Sequence, residues 1–275
     1  MGLIMKNFEN KTVFITGASS GIGAALAREF AHRKANLVLT ARRRDRLEAL
    51  SKELSGESRT VLPVTCDVTD EKQLAQAVQL SLEKLGKIDI VIANAGFGVA
   101  GKLEKLSVQD YERQFQTNIF GVLKTIYATL EPLKKSRGTL VLIGSVSGYI
   151  SLPGVSAYSM SKFAIHALAS SIRYELSKSG VSVVLIAPGF VESEIRQVDN
   201  SGKFHAATAE PIPKWLVMST ERAARQMVNA IAKKRPEQII TLHGKIGVFI
   251  KRHFPWMISL AMSFGLKGRR EPNRS

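Results

Sequence analysis

Short apolar runs alternate along this chain with longer segments whose apolar residues recur every three or four positions. Thr12-Val13-Phe14-Ile15-Thr16 is a β-branched and aromatic run, and residues 22–33 then carry a helical pattern. The couplet repeats. A run at 37–40 precedes a helix at 43–54, a run at 61–65 precedes a helix at 71–85, and a run at 89–93 precedes a long helix at 111–130 with Gly121 inside it. Runs at 139–143 and 181–186 flank a helix at 156–178, and a helix at 220–233 leads to a last run at 238–242. Apolar runs bounded by turn residues read as fully buried strands, and the helices between them are the crossovers that parallel strands require. The pattern predicts an α/β fold of the Rossmann kind: a doubly wound parallel sheet with helices on both faces. No internal repeat, low-complexity tract or linker divides it.

Composition agrees with one large domain. The chain has 275 residues, 45% of them hydrophobic, which is enough to enclose a substantial core. The expected division is a main domain over 8–243, with an insertion at 190–215, and a basic, apolar extension over 244–275. Cys66 is the single cysteine, so no intrachain disulfide can form, and a reducing, cytoplasmic setting fits. His32, His166, His205, His243 and His253 show no metal-ligand spacing and read as packing or surface residues, so no metal is expected. Residues 1–6 are too short and wrongly ordered for a signal peptide, and Lys6 stands where an N-myristoylation motif wants Ser or Thr.

Charge changes the picture more. The net charge is +16, which raises nucleic acid, a membrane surface and anionic ligands as partners. No zinc-finger spacing or aromatic RNA-binding motif accompanies it, so nucleic acid is not expected. Half of the excess lies in residues 233–275, which hold ten Lys/Arg against Glu237 and Glu271. Within that stretch residues 245–267 are rich in large apolar side chains. Their longest uncharged run, 254–266, is thirteen residues, short of the ~20 that a bilayer-spanning helix needs. Three readings remain: a cover for a substrate pocket, a subunit interface, or a peripheral membrane contact through 245–270.

The strand ends carry the candidate chemistry. The first strand runs into Gly17-Ala18-Ser19-Ser20-Gly21-Ile22-Gly23, where glycines permit a tight turn and close approach of a diphosphate to a helix N-terminus. The spacing is Gly-x3-Gly-x-Gly rather than Gly-x-Gly-x2-Gly. At the second strand end a carboxylate would select NAD, but Ala41-Arg42-Arg43 stands there, and guanidinium groups suit a 2′-phosphate. Arg44 and Arg46 read as a solvated helix start. Cys66-Asp67-Val68 ends the third strand; Asp67 either accepts from an adenine amino group or caps the helix beginning near Asp70. Asn94-Ala95-Gly96 ends the fourth, either leaving room for a flat ligand with Asn94 pinning the backbone, or forming a plain turn. Asn118 lies inside a helix, where Asn is disfavoured, which suggests a buried polar role. Ser145 follows the apolar run 139–143. Tyr158 and Lys162, four apart, share a helix face. A free phenol titrates near pH ~10, and a cation beside it favours the phenolate. Tyr149 and Tyr174 read as packing or surface residues.

Taken together these residues resemble the short-chain dehydrogenase/reductase family of the Ser/Tyr/Lys/Asn tetrad type. The match rests on Gly17 to Gly23, Asp67, Asn94-Ala95-Gly96, Asn118, Ser145, Tyr158-x3-Lys162 and Pro188-Gly189, in family order over residues 10–195. The resemblance implies a seven-stranded Rossmann sheet and a nicotinamide cofactor. It also implies a catalytic group in which Tyr158 is the general acid or base and Ser145 holds the substrate oxygen. Lys162 binds the nicotinamide ribose, and Asn118 helps place Lys162 through a water. Pro188, Gly189, Val191 and Ser193 would clasp the nicotinamide, with Ser193 where Thr is usual. The family's frequent dimers and tetramers make a homo-oligomer the expectation.

The reading that follows is an NADP(H)-dependent oxidoreductase, with NAD(H) as the second choice of cofactor. It would act on a hydrophobic ketone or secondary alcohol, by analogy with relatives acting on steroids or fatty-acyl compounds. The alternatives are an NAD-dependent alcohol dehydrogenase, a non-catalytic dinucleotide sensor, and a membrane-recruited scaffold.

Overall fold

The computed structural model describes residues 7–56, 60–194, 200 and 212–267. Most of the expected 190–215 insertion (195–199 and 201–211) and the end of the C-terminal extension (268–275) lie outside the described residues.

Seven parallel strands form one sheet in the order β3-β2-β1-β4-β5-β6-β7. They are β1 (Thr12–Thr16), β2 (Asn36–Ala41), β3 (Val61–Thr65), β4 (Ile90–Ala93), β5 (Thr139–Ile143), β6 (Ser182–Ala187) and β7 (Glu237–Ile239). The helices are α1 (Gly21–His32), α2 (Arg44–Leu54), α3 (Glu71–Leu85), α4 (Val108–Phe115), α5 (Gly121–Ser136), α6 (Ser156–Ser177), α7 (Thr220–Ala232), α8 (Leu242–His253) and α9 (Pro255–Lys267).

Strand alternation builds two cores, one on each face. Val13 and Ile15 of β1, Leu37 and Leu39 of β2 and Val184 and Ile186 of β6 join a cluster with Leu26, Leu47 and Met227 from α1, α2 and α7. Their in-between neighbours Phe14, Val38, Val183 and Leu185 join the opposite cluster with Leu74, Ile126 and Ile165 from α3, α5 and α6. Successive side chains of a strand point to opposite faces, so a run apolar at every position is what a sheet covered twice demands.

The expected elements are found, with three differences. The single helix expected at 111–130 is α4 and α5 joined by a π-helical turn, Gln116–Phe120. Such turns place an extra residue in the helix and recur at functional sites. The last strand is shorter than 238–242, because Thr241 instead caps α8, its side chain accepting from Gly244 N–H. The apolar extension, to which the sequence pattern assigned no element, forms α8 and α9.

Candidate active site

The strand order reverses between β1, which is followed in space by β2, and β4 on its other side. In an open parallel sheet such a switch leaves a crevice at the carboxyl ends of the strands. A groove of about 440 Å³ lies there. Its walls come from the ends of β2 and β3 (Arg42, Arg43, Asp67, Val68), the turn after β1 (Gly17, Ser19 to Gly23) and the end of β4 (Asn94, Ala95, Gly96). They continue through Ser145, Tyr158 and Lys162 to Pro188, Gly189, Val191 and Ser193 after β6. At the usual strand separation the row from β3 to β6 spans about 24 Å, a length suited to an extended ligand.

The turn after β1 is built for close approach. Gly17 and Gly21 have φ of 66° and 51°, the left-handed region that favours glycine. A Cβ on Gly23 would strike the Gly17 carbonyl oxygen. Asn94 locks this turn to the end of β4: its Nδ2 donates to the carbonyls of Thr16 (2.9 Å) and Gly17 (3.2 Å), and its backbone N–H donates to Thr16 Oγ1 (3.0 Å). The pinning role, not a plain turn, is what Asn94 performs. Ser20 precedes α1 but makes no side-chain cap, and no acidic residue stands in the first turn. The N–H groups and positive dipole end of α1 therefore face the groove uncompensated, as a phosphate site requires.

At the β2 end the guanidinium that enters the groove is that of Arg43. It donates to Ser19 Oγ (3.1 Å) and Ser20 Oγ (2.6 Å) and pairs with Glu194 (3.0 Å). Arg42 also lines the groove, but its side chain is 73% exposed and stands 3.9 Å from Asp67 Oδ2. Arg46 is no solvated bystander: it pairs with Glu194 at 2.7 Å. Burial alone would push the Glu194 carboxyl up, but hydrogen bonds from Arg46 and Arg43 outweigh it and hold the group below the ordinary carboxylate value. Asp67 is not a helix cap. Its Oδ1 accepts from Thr69 N–H and Oγ1, whereas Asp70 caps α3 through Lys72 and Gln73 N–H. Cys66 also lines the groove, but burial, then the nearby Asp67 and Asp70 charges, push its thiol up to about 12, which keeps it protonated and inert.

At the other end stands a buried cation. Lys162 is 7% exposed, donates to the Ile143 carbonyl at 2.8 Å, and lies 5.6 Å from the centre of the Tyr158 ring. An ammonium has three donors, and among the described residues one acceptor is present. Burial lowers its pKa from 10.5 to about 8. The Ser145 hydroxyl accepts from Ser147 N–H at 3.0 Å, which leaves its own proton for a ligand oxygen. Asn118 is not in the groove wall. Held in the π-helical turn and 1% exposed, it grips the Phe97 backbone from both sides (Oδ1 accepting at 3.1 Å, Nδ2 donating at 3.0 Å) and reaches Ser161 Oγ at 3.3 Å.

Four participants escaped the sequence. Phe97 and Arg113 both line the groove, with the Arg113 guanidinium 5.0 Å from the ring centre. Phe97 directly follows Gly96, so its position was the available signal. His166 lies one helical turn beyond Lys162, and its Nε2 accepts from Ser145 N–H at 3.3 Å. Burial first, and the neighbouring Lys162 charge second, lower its pKa to about 4, so it stays neutral there. Glu194 stands just past the loop motif, with no signal of its own.

The uncompensated α1 terminus, the half-satisfied Lys162 and the Arg43 guanidinium all fit a dinucleotide laid along the groove. A buried charge kept for ligand binding should weaken the fold. Lys162→Met is expected to raise stability at pH 7, by at most about 3 kcal/mol. The sign follows from the lowered pKa. The folded state disfavours the protonated amine fully below pH about 8, and that penalty fades as pH rises toward the unfolded value near 10.4. Urea unfolding from pH 7 to 10 checks this; a Met variant less stable at pH 7 would contradict the burial account.

Comparison with known proteins places this geometry. The short chain dehydrogenase family model matches residues 11–203. An oxidoreductase of Staphylococcus saprophyticus is 31% identical over 82% of this chain and 98% of its own. A glycine betaine reductase of Emericella nidulans is 32% identical over 83% of this chain but only 18% of its own length. Among solved structures, an alcohol dehydrogenase from Thermococcus sibiricus complexed with 5-hydroxy-NADP has a TM-score of 0.73 at 29% identity, covering 84% of this chain and 96% of that one. A short chain dehydrogenase/reductase from Burkholderia phymatum in complex with NAD shares the fold, with a TM-score of 0.80 at 23% identity over 98% of this chain and 99% of that one. The matched span and the 31% relative together show that this chain belongs to the short chain dehydrogenase family and is an NAD(P)-dependent oxidoreductase.

Proposed function

We propose that this protein is an NADP(H)-dependent reductase of hydrophobic ketones, running in reverse as a secondary-alcohol dehydrogenase. The observation that carries the reading is that one groove joins the Arg43 guanidinium at one end to Ser145, Tyr158 and Lys162 at the other. Arginine matches phosphate oxygens, and β2 itself runs out into Arg42 and Arg43 rather than an acid; the carboxylates that face them, Asp67 and Glu194, come from other segments. The Thermococcus sibiricus relative, complexed with 5-hydroxy-NADP, supports the same choice.

The cofactor, when bound, supplies the hydride; the chain supplies position and the proton. The first-turn N–H groups of α1 would hold the diphosphate, and Arg43 would hold the 2′-phosphate in place of Glu194. Lys162 would give its remaining donors to ribose hydroxyls, with its ammonium 5.6 Å from the centre of the Tyr158 ring. Ser145 donates to the carbonyl oxygen of the substrate. Tyr158 gives that oxygen its proton as the alcohol forms, and takes it back in the reverse direction. Asn118 is a positioning residue, fixing Phe97 on one side and Ser161, next to Lys162, on the other. Phe97, half-buried in the groove wall, favours an apolar substrate.

Two sets of variants test this. Tyr158→Phe is expected to keep cofactor affinity and to lose roughly 10²–10⁴-fold in turnover, the usual worth of a positioned acid; retained turnover in steady-state assays would remove Tyr158 from the mechanism. Arg43→Ala should weaken NADPH binding and leave NADH nearly unchanged. Glu194→Gln, which takes away the carboxylate competing for Arg43, should tighten NADPH several-fold. Fluorescence titration with both cofactors reads the outcome. If Glu194→Gln instead weakens NADH, Glu194 is a ribose ligand and the enzyme is NAD-dependent.

A further inference from the structure

We propose that α8 and α9 form a docking face for an anionic lipid surface, and that this face seats the rim of the groove against the membrane. The inference goes beyond the cofactor and substrate reading and does not depend on it.

The exposed side chains are the first observation. Leu242, Ile246 and Phe249, spaced four and three apart, lie on one face of α8 and are 71%, 51% and 57% exposed. On α9, Trp256, Met257 and Leu260 are exposed as well, at 63%, 41% and 50%. The other side of α8 is committed to the fold: Val248 is buried, and Gly244 and Gly247 pack closely on Val146 and Ile150. A contiguous set of large apolar side chains left in water marks an interaction site. Trp at the edge of such a set suits the headgroup region of a bilayer, where an apolar ring with one polar N–H is favoured.

Charge decides between occupants. Residues 242–267 contain no Asp or Glu, while Lys245, Lys251, Arg252 and Lys267 are all cationic. Arg252 is engaged with Glu237 at 3.0 Å; Lys245, four residues before Phe249 and on its side of α8, is exposed with no carboxylate partner among the described residues, and Lys251 is exposed too but shares the face of Gly247 rather than that of Phe249. A second copy docked through the same face would offer these cations no carboxylate, because residues 242–267 contain none. An anionic lipid surface neutralises them, each contributing to attraction near the headgroups. The segment is also the wrong length to cross. Among the described residues no helix is long and apolar enough to span a membrane. Pro255 opens α9 directly after α8 ends, which breaks the pair into two short helices that can lie along a surface.

The face is fixed to the groove. His243 at the start of α8 accepts from Phe190 N–H at 3.1 Å and stacks on the Phe190 ring, with centres 5.1 Å apart. Thr241 packs on Gly189, a groove residue. A membrane held by α8 and α9 therefore lies beside the β6 edge of the groove, where a lipid-dissolved ketone can enter without crossing water.

The chain has two tryptophans, Trp215 and Trp256, so in full-length protein carrying Trp215→Phe the fluorescence reports Trp256 alone. Vesicles of phosphatidylglycerol should shift this emission to the blue and sediment with the protein. Partition should be about tenfold or more stronger than to phosphatidylcholine, and should weaken at high salt. Adding Phe249→Glu should abolish both signals without lowering the thermal midpoint. No shift with phosphatidylglycerol overturns the proposal. Equal binding to both vesicles overturns its electrostatic basis. Light scattering that shows a dimer dissociated by Phe249→Glu, without vesicle binding, assigns the face to a second copy instead. None of these outcomes touches cofactor binding, so docking and catalysis fail or stand separately.

Discussion

Parallel strands cannot be joined by tight turns, and the site follows from that constraint. Each crossover helix returns the chain to the same edge, so every strand-to-helix turn falls at the carboxyl end of the sheet. The order β3-β2-β1-β4-β5-β6-β7 then splits the turns at the β1–β4 boundary and leaves a groove between them. Residues as distant in sequence as Ser19, Asn94, Ser145 and Gly189 meet there because their strands end there. The double-sided burial of Val13, Phe14 and Ile15 and their counterparts holds the turns in place.

The groove is an electropositive trough. It has the open N-terminus of α1 and Arg43 toward one end and the buried Lys162 at the other. Burial that disfavours a protonated Lys162 also makes its field strong, since little water screens it. His166 is neutral in this setting, and it fixes the turn of Ser145 through a backbone hydrogen bond. Among the described residues two carboxylates line the groove: Asp67 stands 3.9 Å from Arg42, and Glu194 sits on Arg43 and Arg46. On the proposed reading, cofactor choice turns on whether Arg43 keeps Glu194 or takes a 2′-phosphate.

Much of this was legible in the sequence because it is periodic or punctuated. The bounds of 71–85 and 139–143 agree with α3 and β5, where an Asp cap and a β-branched run leave little ambiguity. The tetrad spacing brought Ser145, Tyr158 and Lys162 to one wall. What was not legible depends on direction. Neighbouring Arg42 and Arg43 look alike in sequence, but only Arg43 turns back onto Ser19 and Ser20. The π-helical turn leaves no mark in a pattern read with period 3.6, so Asn118 was found by its oddity and its partners were not. The role of Glu194 depends on where a loop lands. The apolar run at 245–267 has a helical fold that hydropathy alone did not reveal, because its exposed and buried sides are both apolar.

The central claim is that one groove transfers hydride from NADPH to an apolar ketone. The most direct test is to follow loss of NADPH absorbance, with NADH in parallel, against apolar ketones graded in chain length and ring number. The account predicts turnover with NADPH, concentrated in one chemical series, and much weaker turnover with NADH. Equal or better rates with NADH would contradict the cofactor assignment, and tight NADPH binding without turnover on any ketone would contradict the proposed reaction.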